Sequence, residues 1–146
     1  MTLLLGLLLA ASPAHAHLEL GTYHGTAPAP GNEACSFKVV EIAAAYDTPH
    51  PLNERVTLEL ADGLRVELRH PVSIDSGAAT IGFDHEHLSG ARGVRTGNAS
   101  ATELAVVLTM NHGAGHHGPT ELVLIHQDSS DPNNTGKATC LNLKHE

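Results

Sequence analysis

The stretch from Thr102 to Asp128, TELAVVLTMNHGAGHHGPTELVLIHQD, decides the fold, because two apolar, β-prone runs flank a glycine-rich loop. The residues that share a face are Leu104, Val106, Leu108 and Met110 in the first run, and Leu122, Leu124 and His126 in the second. Apolar residues at every second position are typical of a half-buried strand, and two such runs joined by a loop predict a β-hairpin. The loop of this hairpin carries His112, His116 and His117.

A second hairpin is predicted upstream, between Arg55 and Arg69. Its apolar residues are Val56, Leu58 and Leu60 in the first strand and Leu64, Val66 and Leu68 in the second. Charged residues and Thr57 occupy the positions between them, and the turn holds Asp62-Gly63. This pattern predicts one buried face and one wet face. His70 falls on the apolar face before Pro71, so we expect a core histidine there rather than a metal ligand.

The rest of the chain adds short strand candidates without a long helix. They are Leu18 to His24, Cys35 to Tyr46, Ala79 to Phe83 and Ala138 to Lys144. The alanines of the second candidate leave a helical ending open, and the composition of Leu88 to Ala101 predicts a loop. About eight short strands with turns between them predict an all-β, antiparallel sandwich or small barrel. We expect one domain, residues 17–146.

Residues 1–16, MTLLLGLLLAASPAHA, have the pattern of a secretory signal peptide. They carry no charged side chain, and the apolar run from Leu3 to Ala11 is too short to span a bilayer as a helix. Cleavage after Ala14 or after Ala16 would leave an N-terminal histidine, His15 or His17. We therefore expect a periplasmic or secreted protein with no retained membrane span.

Charge and cysteine content narrow the class of protein further. The net charge of −8 argues against a nucleic-acid partner or an anionic membrane surface, which require basic patches. Cys35 and Cys140 are the two cysteines, and in an oxidising compartment we expect them to form a disulfide rather than remain unpaired thiols. That bond would tie the second strand to the last and close the scaffold.

Histidines are the candidate functional residues, because the chain holds 12 of them against 8 Lys plus Arg. In an extended strand His85 and His87 project from the same face, where they can offer two imidazoles to one Cu or Zn ion. Glycines around His112, His116 and His117 allow a tight loop whose imidazoles converge. The residues predicted to complete such a site are His126 and His17, the latter together with its free amine if cleavage follows Ala16.

Residues 82–90, GFDHEHLSG, resemble the copper-binding strand of copper/zinc superoxide dismutases. The resemblance is local: Asp84 stands between Phe83 and His85, and Cys35 precedes the histidine pair instead of following it. It implies a copper-dependent oxidoreductase as one alternative. The zinc-protease motif His-Glu-x-x-His is absent, because Ser89 occupies the position of its second histidine.

Our leading hypothesis is a small exported protein that binds Cu or Zn through histidines for carriage or buffering rather than catalysis. The alternative from another class is a metal-free binding or inhibitor module for an envelope or extracellular protein, made pH-responsive by its histidines. Protonating the 11 histidines that remain after cleavage behind Ala16 would change the net charge from −8 to +3 (−8 + 11).

Overall fold

The computed structural model describes residues 18–45, 47, 54–75, 80–83, 86–96, 100–111, 118–128, 131, 133 and 135–146. The predicted signal peptide (1–16), His17, His85 and residues 112–117 lie outside this description.

The described residues form ten β-strands and no helix. The strands are β1 (Gly21–Thr26), β2 (Ala34–Ala44), β3 (Glu54–Leu60), β4 (Arg65–Arg69), β5 (Val72–Asp75), β6 (Thr80–Phe83), β7 (His87–Thr96), β8 (Ser100–Asn111), β9 (Gly118–Asp128) and β10 (Thr135–His145). Both predicted hairpins are confirmed, as β3–β4 and β8–β9. The alanine-containing end of β2 is strand rather than helix.

Eight of these strands close into an antiparallel barrel in the order β1-β10-β9-β8-β7-β4-β3-β2. Each barrel strand pairs with its neighbour along the chain, except that the separate hairpin β5–β6 is inserted between β4 and β7. The prediction of an all-β, antiparallel fold is therefore confirmed. Of the two predicted architectures, sandwich and small barrel, the structure is the barrel.

The core fills the inside of the barrel with the alternate residues of its strands. The buried apolar side chains are Leu18, Tyr23, Phe37, Val39, Val56, Leu58, Leu60, Val66, Leu68, Leu88, Leu104, Val106, Leu108, Met110, Leu122, Cys140 and Leu143. An eight-stranded barrel is narrow enough for side chains to fill it. The period-two patterns of β3, β4 and β8 thus have a direct cause, since every second residue faces this core.

The predicted disulfide between Cys35 and Cys140 is confirmed and joins β2 to β10. Strand β1 lies between those two strands, so the bond crosses β1. At the crossing point Gly25 pairs with Cys35. A Cβ atom at position 25 would lie 2.8 Å from the Cys140 Sγ and would also meet the carbonyl oxygen of Leu141. Glycine is required at this position because the Leu141 carbonyl and the disulfide occupy the space that a side chain would need.

The seam between β4 and β7 closes the barrel with little regular pairing. In the structure as described, these strands share one ladder pair, Arg69 with Ser89. Gly90 brings β7 so close to β4 that a Cβ atom there would collide with the carbonyl of Glu67. The guanidinium of Arg92 donates to the carbonyl oxygen of Arg65. Close packing and side-chain hydrogen bonds therefore replace part of the missing ladder.

The prediction of a loop for Leu88 to Ala101 was wrong for most of that segment. Residues 87–96 form β7, which pairs with β8 at every position from His87–Thr109 to Thr96–Ser100. The segment shows little apolar alternation because Gly90 and Gly93 take positions that a strand would normally fill with side chains. Pairing with the strongly patterned β8 makes it a strand despite its composition.

Candidate functional site

One end of the barrel collects most of the described histidines, and we call it the His87 end. Strand β7 begins there at His87, and β8 and β9 meet there at the pair Asn111–Gly118. Strand β1 begins and β10 ends at the same end, because neighbouring strands are antiparallel. Three of the five described histidines, His70, His87 and His145, lie at or near this end. His24 lies within β1, where it pairs with Ser36 and Lys144, and His126 lies in the other half of the barrel.

His87 is half-buried at the first position of β7 and pairs with Thr109. Its neighbour Leu88 is buried in the core, so the alternation of the strand directs His87 to the outer face. The ladder with β8 extends one residue beyond β7, because the N–H of Met110 donates to the carbonyl oxygen of Glu86 at 2.7 Å. The chain is therefore held against β8 up to the residue that follows His85.

The residues that flank the predicted histidine loop, Asn111 and Gly118, lie at the same end. Residues 112–117 connect Asn111 to Gly118, and these two residues pair with each other. The pair His87–Thr109 lies two positions further along β8. At about 3.3 Å per residue, that is roughly 7 Å along the strand. The structure thus brings the described residues that flank the two histidine clusters close together, although His85, His112, His116 and His117 lie outside the description.

His126 lies towards the opposite end of the barrel. It pairs with Leu104 and Gly136, and its side chain is exposed. Eight residues of β9 separate it from Gly118, which is about 26 Å along an extended strand. The structure therefore does not bring His126 together with His87. Of the seven histidines predicted as ligands, these two are the ones that the structure describes.

His70 is buried, as its place on the apolar face predicted, with 4% of its surface exposed. Its Nδ1 atom lies 3.0 Å from the carbonyl oxygen of His87. A carbonyl oxygen can only accept, so Nδ1 carries the hydrogen and donates it. On the other side of the ring, Nε2 lies 4.0 Å from Oε2 of Glu54, at the first position of β3. No local sequence pattern predicts this link between the residue that follows β4 and the first residue of β7.

Two further histidines pair with carboxylates near the chain ends. His24 Nε2 lies 3.1 Å from Glu146 Oε2, and His145 Nδ1 lies 3.2 Å from Glu19 Oε2. Both histidines are exposed. Neither pair was foreseen, because each joins residues more than a hundred positions apart in the chain. Exposed pairs of this kind contribute little to stability.

Tyr23 is a buried residue that packs against His145. Its ring stacks on Phe37 with centroids 5.3 Å apart and contacts the His145 ring at 4.8 Å. Its hydroxyl oxygen accepts a hydrogen bond of 3.0 Å from the N–H of Glu19. Burial raises the pKa of Tyr23 above the ordinary value of 10.0, the Glu19 carboxylate adds to that rise, and the hydrogen bond from Glu19 opposes it.

Glu121 is a carboxylate that the sequence patterns did not single out. Its ladder partner Thr109 is also the partner of His87, so the three residues form one row across β7, β8 and β9. Directly paired residues project to the same side of a sheet. The row therefore places an acidic side chain on the same outer face as His87, two strands away.

The described residues alone do not assemble a metal centre. No group of three or more His, Cys, Asp or Glu side chains among them is close enough to hold a metal ion. The segment 82–90, with its local likeness to superoxide dismutases, runs from the end of β6 into β7 and includes residues 84–85, which are outside the description. No helix in the described part of the chain is long and apolar enough to cross a membrane.

Comparison with protein-family models, curated proteins and solved structures finds no match to this chain. Its function must therefore be argued from its own residues.

Proposed function

We propose that the protein is a small exported barrel that binds a Cu or Zn ion through histidines at the His87 end, for carriage or buffering rather than catalysis. The observation that supports this proposal is the uneven placement of the histidines. Three of the five described ones lie at or near this end, and the residues that flank the clusters at 85–87 and 112–117 lie close to each other there.

The donor chemistry fits the proposal. Zn and Cu take three or four ligands, and neutral imidazoles suit both metals. His85, His87, His112, His116 and His117 are the ligands proposed from the two clusters, and His17 directly precedes Leu18, whose side chain is buried in the core. The acidic residues Glu86 and Glu121 and the net charge of −8 favour the approach of a cation.

Export belongs to the same proposal. The pattern of residues 1–16 is that of a signal peptide, and the Cys35–Cys140 disulfide is compatible with the periplasm or the extracellular space. Cleavage after Ala14 or Ala16 supplies an N-terminal histidine for the metal. The mature protein then carries its ion outside the cytoplasm.

Isothermal titration of the mature, untagged protein with Cu(II) and with Zn(II) tests the proposal. We expect one ion per chain. Replacing His85, His87, His112, His116 and His117 together by alanine should abolish binding, because it removes most of the imidazole donors. His126→Ala is the matched control and should bind like the parent, since it lies about 26 Å along the strand from the loop anchor. Equal binding by the five-alanine variant and the parent would refute the proposal.

A second candidate function, metal-free binding of an apolar group, is favoured by a pocket at the opposite end. The pocket has a volume of about 160 Å³ and is lined by both half-cystines and by Leu60, Leu122, Leu124 and Ala138, among others. Mouths of β-barrels are common ligand sites. His126 lies two residues beyond Leu124 on the same face of β9, so its imidazole stands beside the pocket.

This second candidate makes a separate prediction in the absence of metal. A small apolar probe such as toluene, added to chelator-treated protein, should shift the methyl resonances of Leu122 and Leu124. Unchanged methyl resonances at saturating toluene would remove this candidate.

A further inference from the structure

We propose that His70 is a positioning residue for the metal site, because its imidazole fixes the backbone at His87, one of the proposed ligands. This inference rests on the proposed function. His70 itself is not proposed as a ligand. It acts through the carbonyl oxygen of His87, 3.0 Å from its Nδ1 atom.

The first argument is the gap that this hydrogen bond fills. Arg69 pairs with Ser89, so two steps further along an antiparallel ladder position 71 would face position 87. Position 71 is Pro71, which has no N–H to donate. The His70 imidazole supplies an N–H to the His87 carbonyl in its place. The His70 side chain thus adds one hydrogen bond between the two chain segments beyond the last backbone pair, Arg69 with Ser89.

The second argument is the burial of His70. Of the polar side chains whose burial the structure describes, His70 is the buried one, with 4% exposure. A buried polar group is costly unless it is hydrogen-bonded, so the imidazole has a strong preference for the geometry that keeps its partner. We therefore expect the imidazole to keep its hydrogen bond to the His87 carbonyl oxygen in the folded protein.

The third argument is that the ring lies between two strands. Nδ1 is hydrogen-bonded to the carbonyl oxygen of His87, the first residue of β7, and Nε2 lies 4.0 Å from the carboxylate of Glu54, the first residue of β3. The second distance is longer than a hydrogen bond, so the contact with His87 fixes the ring. Groups that orient a metal ligand from outside the coordination sphere change metal affinity by about 10- to 100-fold when they are removed. His70 has the geometry for such a role.

The test compares two substitutions that differ in the hydrogen-bond donor. His70→Leu removes the donor while keeping an apolar side chain in the core, and His70→Asn keeps an N–H near the position of Nδ1. We expect His70→Leu to weaken Cu(II) binding by about 10- to 100-fold and to alter the electron paramagnetic resonance spectrum of the bound copper. His70→Asn should restore most of the affinity and the parental spectrum.

A purely structural role is separated by a matched control. Val66→Ala removes buried volume from β4, the strand that directly precedes His70, without changing the hydrogen-bond donor. It should lower the free energy of unfolding while leaving the copper affinity and spectrum unchanged. If His70→Leu behaves like Val66→Ala in all three measurements, His70 only stabilises the fold and the inference is wrong.

The inference and the proposed function fail in different ways. If the parent binds neither Cu(II) nor Zn(II), the proposed function is wrong, and with it the role of His70 at a metal site. Amide hydrogen exchange in the metal-free protein then still measures whether His70 stabilises the beginning of β7. His70→Leu should lose protection at residues 87–90 and His70→Asn should not. Full affinity for copper in His70→Leu would overturn the inference while leaving the proposed function intact.

Discussion

Gly25 lies directly beneath the disulfide: a Cβ atom built on it would stand 2.8 Å from the Sγ atom of Cys140. The same Cβ atom would collide with the backbone carbonyl of Leu141, which cannot turn away as a flexible side chain does. We therefore predict that Gly25→Ala destabilises the barrel by about 1–3 kcal/mol, the usual range for overpacking. Urea unfolding monitored by circular dichroism measures the change.

Gly93→Ala is the control for this prediction. Gly93 also lies in a barrel strand, but a Cβ atom there would meet nothing within 4 Å. Its unfolding free energy should stay within about 0.5 kcal/mol of the parent, as for most surface substitutions. Equal effects of the two substitutions would contradict the close crossing of β1 by the disulfide.

The disulfide itself should contribute substantially to stability. Cys35 and Cys140 are 105 residues apart, and in the chain-entropy model a loop of about that length is worth roughly 4–5 kcal/mol, less if the folded state is strained. We expect the double variant Cys35→Ala/Cys140→Ala to unfold at much lower urea concentration than the oxidised parent. The reduced parent serves as the control and should resemble the double variant. A midpoint unchanged by reduction would contradict this account.

Tyr23 should make the protein sensitive to alkaline pH. Burial raises its pKa, so the folded state keeps the phenolic proton at a pH where the unfolded chain has lost it. The resulting stabilisation is complete below about pH 10 and is lost as pH rises through the higher pKa of the folded state. Tyr23→Phe should flatten this part of the curve of unfolding free energy against pH.

Ultraviolet titration of the tyrosines checks the direction of that shift. The chain has two tyrosines, so the variant Tyr46→Phe leaves Tyr23 as the one phenol observed. Its absorbance should change at a pH above that of a free tyrosine. Ionisation at or below the free value would show that Tyr23 is not desolvated as the structure has it.

Much of the fold could be predicted because the alternation of apolar and polar residues within one strand is a local pattern. Val56 to Leu60 and Leu64 to Leu68 alternate cleanly because one face of each strand meets the core, and two cysteines allow only one pairing. Strand β7 could not be predicted in the same way. Gly90 is required by the nearby Glu67 carbonyl, a contact between distant parts of the chain, and a glycine in the sequence indicates a loop as readily as a close crossing.

In the candidate site, too, local patterns could be predicted from the sequence, whereas contacts between distant residues could not. A His-x-His pair and a glycine-rich loop with three histidines are visible in the sequence, and His126 shares a face with Leu122 and Leu124 as predicted. Distance along a strand depends on register, however, and the register places His126 far from Gly118. The bond from His70 to His87 joins two strands across an inserted hairpin, and no local pattern reports it.

The most direct test of the central claim, a metal site at the His87 end, is the pattern of paramagnetic broadening that Cu(II) produces in the amide spectrum. With less than one equivalent of Cu(II) added to the mature protein, the amide signals of His87, Thr109 and Gly118 should broaden beyond detection. The signals of Asp128 and Thr135, at the opposite end of the barrel, should remain sharp. Broadening centred on the opposite end, or a spectrum that Cu(II) leaves unchanged, would contradict the account.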